Sequence, residues 1–492
     1  MASIASRVYD DILHSIFPFL KFREFARVSG VSRHWNKSVG KNKPRNETIQ
    51  GFDIDYVDRP STVTIANLNT SLMKIRHVQQ MSNMTRHVST LDLTRCQLNN
   101  CDCKLLYTFN NVTCLDVSFT GLLPNQISWT DLSKSMSKLT SLNASTNNLG
   151  KHRLAVTSDG TEMMNLAHVI QETKCVLTYL NLSNNRISKE GLIYLVNALK
   201  NNKSITTLDL SENFIGGYNI TEICKGLECN QYVTHLNLAN TQICDDGIAS
   251  IINASKTLRY LDISQSGVMD DKADGGCYLI IKAIKDSNLT SLYMDANYLD
   301  DELASLFADA IVHNQSLTCL DIDDNELTDM GIVHIVDAVL HSTTLTEFNI
   351  SNSECGAKGL ESICNLIKYS TRLTILHMED AFDHGYGSNC TPQLAEAIKC
   401  SKSLTWIDLA NNYIKGADVI SLALAISMCP TLTYVGLENN NSIEGQEHCF
   451  MQIITNTRSC RTIVGEDAVE SCILSHPNDP MVTIRILVDD PT

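Results

Sequence analysis

No window of the 492-residue sequence approaches 18 uninterrupted apolar residues. A membrane-spanning helix needs about 20, so none is expected. An N-terminal apolar run of signal length is also missing, because Arg7, Asp10 and Asp11 interrupt it. Positive charge is scarce: 39 Lys and Arg stand against 55 Asp and Glu, for a net charge of −16. Phosphate affinity comes from clustered Lys and Arg, so this balance argues against nonspecific nucleic-acid binding and leaves a basic protein partner open. Catalytic constellations are lacking. There is no Gly-rich phosphate loop and no His-x-x-x-His pair on a helical stretch with a nearby Glu. Cys101-Asp102-Cys103 is too short to hold zinc alone. These absences lead to the expectation of a chain that is not an enzyme, with no cofactor and no structural metal.

The 18 cysteines are scattered rather than framed. Cys175, Cys224 and Cys429 read as small core fillers and Cys114 as a repeat-core position. With no signal run, the expectation is a soluble protein with reduced thiols, cytoplasmic or nuclear. Triplets such as Asn181-Leu182-Ser183 then read as by-products of a repeat rather than glycan sites. Charge is uneven. Residues 1–50 hold nine Lys/Arg and four Asp/Glu, which gives +5 and leaves −21 for the rest. A basic head on an acidic body indicates two modules.

One motif recurs along the body. LTYLNLSNN starts at Leu177, ITTLDLSEN at Ile205, VTHLNLANT at Val233, LTCLDIDDN at Leu317, LTEFNISNS at Leu345, LTILHMEDA at Leu373 and LTYVGLENN at Leu432. Most starts lie 28 residues apart; with weaker copies at Val88, Val112 and Leu139 and further ones at Leu258, Leu289 and Leu404, there are 13 in all. A fixed period of that size indicates a solenoid. Within one unit, Leu180 and Leu182 alternate with Asn181 as a strand requires. Leu192, Leu195, Val196 and Leu199 follow at i, i+3, i+4 and i+7, which marks an amphipathic helix with Gly191 near its start. A lone unit cannot bury both apolar faces; stacking buries them. Position 2 of the motif is Thr in 11 of the 13 copies, with Ser89 and Arg259 as exceptions, and stacked hydroxyls suit a repeated strand edge.

The pattern L-x-x-L-x-L-x-x-N resembles the leucine-rich repeat from about Val88 to Asn440, and its 28-residue length resembles the ribonuclease-inhibitor-like class. The resemblance implies an α/β solenoid with a parallel concave sheet and convex helices. It also implies that Asn185, Asn213, Asn297, Asn325, Asn412 and Asn440, which share one slot, form a ladder satisfying backbone groups where each strand ends.

Alternation turns position 5 outward. From Leu177 onward it reads Asn181, Asp209, Asn237, Asp262, Tyr293, Asp321, Asn349, His377, Asp408, Gly436, with no two acids adjacent. Positions 3, 7 and 8 add Glu347, Glu212, Asp295, Asp323, Asp324, Glu379, Asp380 and Glu438, so these four positions carry 12 acids and no Lys or Arg over ten copies. Tyr179, Tyr260, Tyr293, Trp406 and Tyr434 sit among them. Two readings stand side by side. A polar outer face keeps a sheet soluble; an acidic, aromatic concavity attracts a Lys/Arg-rich partner. The second selects Asp262, Tyr293, Asp295, Asp321, Asp323, Asp324, Glu379, Trp406 and Asp408 as target-binding residues. Nothing in the cluster of Asp295, Asp321, Asp323 and Asp324 fixes the ligand geometry a divalent cation needs. Two longer loops, Ser266–Gly276 and Glu379–Pro392, stretch the period. In the first, the calcium-loop spacing fails because Ile281 stands where a Glu is required. The second carries Phe382, His384 and Tyr386 and is either a binding loop or a tolerated insertion.

In the head, Ile12, Leu13, Ile16, Phe17 and Leu20 form an apolar stripe that Pro18 should end or kink. Phe22, Phe25, Ala26 and Val28 form a second run, and Val31 and Trp35 a third. Three short helices in about 30 residues cannot make a robust core alone, so another chain or the solenoid should cover part of them. Asp11, Ile12, Leu13, Ile16, Phe17, Leu20, Val31, Arg33 and Trp35 resemble the F-box pattern, with Val8-Tyr9 where that family has Leu-Pro. The resemblance implies that Ile12, Leu13, Ile16, Phe17, Leu20 and Trp35 bind a Skp-type adaptor on a cullin scaffold, and that the repeats capture a target for ubiquitin transfer. The alternative is a helical cap on a scaffold or inhibitor that clamps a basic protein, or a subunit of a larger assembly. The expected layout is an F-box-like segment at 1–45, a connector and cap at 46–87, the solenoid at 88–459 and a C-terminal cap at 460–492. A strand is expected within Thr62–Leu68 and another within Met481–Asp490.

Overall fold

A computed structural model describes residues 53–55, 62–66, 89–95, 106–107, 109–121, 127–149, 161–172, 175–216, 220–270, 275–382, 391–414, 416–437, 440, 462–466, 474–476 and 479–487. The chain divides into two units, Met1–Thr241 and Gln242–Thr492. Each is an α/β solenoid of parallel strands and helices.

In the first unit β1 (Asp53–Asp55) runs antiparallel to β2 (Thr62–Ala66), and β2 runs parallel to β3 (Thr90–Asp92). The parallel ladder continues through β4 (Cys114–Asp116), β5 (Ser141–Asn143), β6 (Tyr179–Asn181), β7 (Thr207–Asp209) and β8 (His235–Asn237). Its helices are α1 (Trp129–Ser135), α2 (Thr161–Gln171), α3 (Lys189–Leu199) and α4 (Ile220–Cys229). In the second unit β9 (Tyr260–Asp262), β10 (Ser291–Tyr293), β11 (Cys319–Asp321), β12 (Glu347–Asn349), β13 (Ile375–His377), β14 (Trp406–Asp408) and β15 (Tyr434–Gly436) pair in the same parallel order. β16 (Thr462–Glu466) adds to β15 and pairs with β18 (Asp479–Leu487), which takes β17 (Leu474–His476) antiparallel. The helices here are α5 (Asp245–Ala254), α6 (Gly276–Lys285), α7 (Asp301–His313), α8 (Asp329–His341), α9 (Ala357–Tyr369), α10 (Thr391–Cys400) and α11 (Gly416–Met428).

From β3 to β15 every strand occupies positions 3 to 5 of one copy, in all 13 copies. Within each unit, like positions pair with like positions. The central residue always points inward: Leu180, Leu208, Leu320 and Phe348 are buried at its slot, as are the helix residues Leu192, Leu195, Val196 and Leu199 of α3. That is the apolar sandwich the periodicity calls for.

Polar ladders complete the backbone accounting. Asn213 is typical: its Oδ1 accepts the N–H groups of Asn185 and Ile187 at 3.1 Å, and its Nδ2 donates to the carbonyls of Leu182, Leu210 and Ser211. Asn185, Asn297, Asn325, Asn412 and Asn440 repeat this pattern. Buried backbone groups that no strand or helix satisfies thereby find partners. The threonines of position 2 form a second ladder. Each hydroxyl donates to the position-2 carbonyl of the previous copy, as Thr318 does to Thr290 and Thr346 does to Thr318 at 3.0 and 3.1 Å. Two further ladders had no counterpart in the sequence reading. Asn202, Asn230 and Asn314 link helix ends to the next strand, the Asn314 Nδ2 donating to the Ile284 carbonyl while its Oδ1 accepts from Ser316 and Leu317. Asp301, the first residue of α7, accepts the N–H groups of Thr328 and Gly331 at 2.9 Å and so caps α8 of the following copy. Asp329 does the same for α9 through Gly359 at 2.6 Å. A Cβ on Gly331 would collide with the Asp301 carboxylate, which is why that slot is glycine.

Candidate functional site

The register of the second unit lays out two outward rows on the strand face. Position 3 runs Tyr260, Ser291, Cys319, Glu347, Ile375, Trp406, Tyr434. Position 5 runs Asp262, Tyr293, Asp321, Asn349, His377, Asp408, Gly436. Adjacent members are about 4.8 Å apart. Of the residues read as target-binding, Asp262, Tyr293, Asp321, Trp406 and Asp408 stand on these rows, half-buried. Asp295, Asp323, Asp324 and Glu379 do not belong to the strands. They lie in the turn that follows, Asp324 and Glu379 exposed and the other two half-buried. The face is therefore built of three-residue strands with an acidic rim in the turns that follow them.

The acids have local roles as well as charge. At position 5 the side-chain oxygen accepts the N–H two residues on. Asp262 takes that of Ser264, Asp321 that of Asp323 at 3.1 Å, and Asp408 that of Ala410 at 3.0 Å. Asn143, Asn181, Asn237 and Asn349 make the same bond, so the slot calls for an Asx turn and takes either residue. The triplet at Asn181 is one such turn. Position 8 has positive φ in all twelve described copies, from Arg95 at 62° to Asp380 at 45°, with Asp324 at 50°. This left-handed slot favours Asn and Asp. Part of the acidity thus has a backbone cause that the sequence reading did not weigh.

Electrostatics separates Asp321 and Asp323 from the rest. Burial pushes the Asp321 carboxyl up to about 6, against the bonds from the Asp323 backbone and from Asn349 Nδ2 at 3.1 Å, with Asp295 and Asp323 adding repulsion. Burial raises Asp323 too, although Asn352 Nδ2 donates to it at 2.8 Å. Glu379 accepts from Asn411 Nδ2 at 2.6 Å. Among the described residues no Lys or Arg ion pair reaches Asp295, Asp321, Asp323 or Asp408. Also among the described residues, no group of His, Cys, Asp and Glu is placed to hold a metal ion.

The aromatics gather in two places. Tyr260 and Tyr293 have ring centroids 5.0 Å apart, and the Tyr293 hydroxyl meets Cys319 Sγ at 3.4 Å. Burial raises the Tyr293 phenol and pushes the Cys319 thiol up to about 11. Further along, His377, Trp406 and Tyr434 form one file: 4.3 Å from His377 to Trp406, then 4.6 Å and nearly coplanar from Trp406 to Tyr434. Glu347 Oε1 lies 3.7 Å from His377 Nε2, yet burial holds the imidazole below its ordinary value. His377, Tyr434 and Glu347 complete this surface although they were not among the chosen target residues; strand register alone would have put them there.

The remaining expectations fall as follows. Cys114 is not in the core: it sits half-buried at position 3, on the outward face. Cys429 is buried, and Cys175 and Cys224 are half-buried. Ile12, Leu13, Ile16, Phe17, Leu20 and Trp35 lie outside the described residues, as do Glu438, His384 and Tyr386 and residues 271–274 of the first long loop. Among the described residues no helix is long and apolar enough to cross a membrane.

A family model described as Leucine Rich repeat matches residues 173–196, 229–251, 313–336 and 341–364. No curated protein matches the chain. Solved structures similar to it include the leucine-rich repeat-containing protein LegL7 from Legionella pneumophila, at 16% identity over 68% of this chain and 94% of that one, with a TM-score of 0.39. They also include the Rad7 and Elc1 complex from yeast, at 14% identity over 66% of this chain and 83% of that one, with a TM-score of 0.40. The chain contains leucine-rich repeats at those four matched segments, and its thirteen in-phase strands with their polar ladders follow the same pattern.

Proposed function

We propose that this chain is a non-enzymatic recognition subunit. The strand face of the second unit holds a basic segment of a target protein. The F-box-like residues of the head dock a Skp-type adaptor, so that a cullin scaffold brings ubiquitin-transfer machinery to the target. Holding the two together is itself the contribution to rate.

One observation carries the target half. Asp321 and Asp323 stand close to Asp295, with their charged forms disfavoured by burial and no Lys or Arg paired to them among the described residues. A Lys or Arg from outside would offset that desolvation, and such a cluster also steers basic partners toward itself. The adaptor half rests on the resemblance of Asp11–Leu20 and Val31–Trp35 to the F-box.

Affinity purification of the full chain, followed by mass spectrometry, tests both halves. Changing Asp321, Asp323 and Asp324 together to Asn should deplete the target and flatten the salt dependence of its binding while the adaptor stays. Ile16→Asp with Trp35→Ala should release the adaptor while the target stays. Targets indifferent to the triple change would leave solubility as the account of the acids. An adaptor that never binds, beside a target that does, would make the chain a clamp rather than a ligase receptor.

A further inference from the structure

The two outward rows of the second unit change character along the solenoid. Over β10 and β11 the face and its rim present Asp295, Asp321 and Asp323, with Glu347 next on β12. Over β13 to β15 the rows present Ile375, His377, Trp406 and Tyr434, with Glu379 and Asp380 on the rim after β13. Burial holds the His377 imidazole below its ordinary value, which disfavours its charged form. Gly436 adds no side chain at all, and the Asp408 carboxylate, the one acid on these two rows there, leans over it while accepting the Ala410 N–H. The acids are thus densest over β10 and β11, where Tyr293 stands beside Asp321, while the stacked pair Trp406 and Tyr434 lies over β14 and β15.

Resting on the reading that this face binds a basic target, we infer that the target's contact element is bipartite: a Lys/Arg cluster seated over β10 to β12, and an aromatic or large apolar side chain seated against the Trp406–Tyr434 stack. From β11 to β14 is three strand spacings, about 14 Å. An extended chain covers that in about five residues at roughly 3.3 Å each. Charge at one end supplies steering and salt dependence. The stacked rings at the other end supply contact area that costs little side-chain entropy, the usual property of a hot-spot anchor.

Fluorescence anisotropy with the full chain tests this, using labelled synthetic peptides of four arginines, a five-residue Gly/Ser spacer and a terminal Trp or Ala. The Trp peptide should bind about tenfold more tightly than the Ala peptide. Trp406→Thr should remove that advantage and leave the Ala peptide unchanged; Thr207 already fills the same slot of β7, so the fold tolerates it. Asp321→Asn with Asp323→Asn should weaken both peptides by the same factor and reduce their salt dependence. If the acid-to-amide change affects neither peptide, or the Trp peptide does not bind at all, the basic-target reading itself fails. If the acids matter but Trp and Ala peptides bind alike, that reading stands and the bipartite element is wrong. It is equally wrong if Trp406→Thr weakens the Ala peptide as much as the Trp peptide, since the rings would then be seating arginine.

Discussion

Asp321→Asn should make the protein more stable at neutral pH and less stable in acid. In the folded chain the carboxyl is pushed from the ordinary 3.8 up to about 6, chiefly by burial. A carboxyl raised in this way weakens folding when ionised. The stability present below pH 3.8 is lost as pH rises, and the loss is complete above about 6. At 1.36 kcal/mol per pH unit the full difference is about 3 kcal/mol, and partial solvent access brings it nearer 2. Asn keeps the bond from the Asp323 N–H but gives up the acceptor now serving Asn349 Nδ2 at 3.1 Å. That lost bond costs about 1 kcal/mol. The net expectation at pH 7.5 is a gain of about 1 kcal/mol, shrinking as pH falls below about 6 and turning into a loss of about 1 kcal/mol below pH 4. Paired thermal melts of the two proteins, followed by circular dichroism from pH 3.5 to 8, would show the crossing. A gain that is the same at every pH, or a loss at pH 7.5, would refute the claim that burial of the charge governs this site.

Three other outcomes follow from the ladders and turns. Asn213→Ala leaves the N–H groups of Asn185 and Ile187 and the Leu210 carbonyl without the partner they now have in a fully buried slot, and should cost about 3 kcal/mol in urea unfolding. Gly331→Ala forces the Asp301 carboxylate away from the start of α8. It should lower stability by about 2 kcal/mol, and hydrogen exchange should rise first at Thr328 and residue 331. Ala296→Gly removes a β-carbon from a left-handed position with φ of 49° and should raise the melting midpoint, with a gain of about 0.5–1 kcal/mol.

The strands were legible because two signals agree. The 28-residue period fixes the phase, and Leu-x-Leu inside each copy fixes which residues face inward, so positions 3 to 5 could be placed without a structure. The Asn ladder was legible through the family resemblance and the Thr ladder through near-invariance of position 2. What stayed hidden had no uniform chemistry. Position 8 is left-handed whether it holds Asn184, Phe119, Thr146 or Ala296, so composition could not mark it. The Asp301 and Asp329 caps act across copies and read locally as ordinary acidic first turns. Asn349 and Asp295, which act on the Asp321 carboxyl, belong to the neighbouring copies, so no single copy displays them.

The choice between Asn and Asp at position 5 then bears on what the face is for. Both residues close the turn, as Asn349 does with Ser351 at 3.0 Å and Asp408 does with Ala410 at 3.0 Å, so the backbone does not distinguish them. A pairing between copies explains some carboxylates: Asp116 accepts from Asn143 Nδ2 at 2.8 Å, and Asp321 accepts from Asn349 in the same way at 3.1 Å. At Asp116 no further cause is needed. At Asp321 the bond is longer, Asp295 and Asp323 repel, and burial outweighs the hydrogen bonds. The carboxylate there is held at a net cost that an amide would avoid. A cation supplied by a bound partner reverses that balance, because it gains most from the charge that the free protein solvates least. The same reasoning predicts that target binding raises the melting midpoint of the native protein more than that of the Asp321→Asn variant, the difference shrinking as pH falls below about 6.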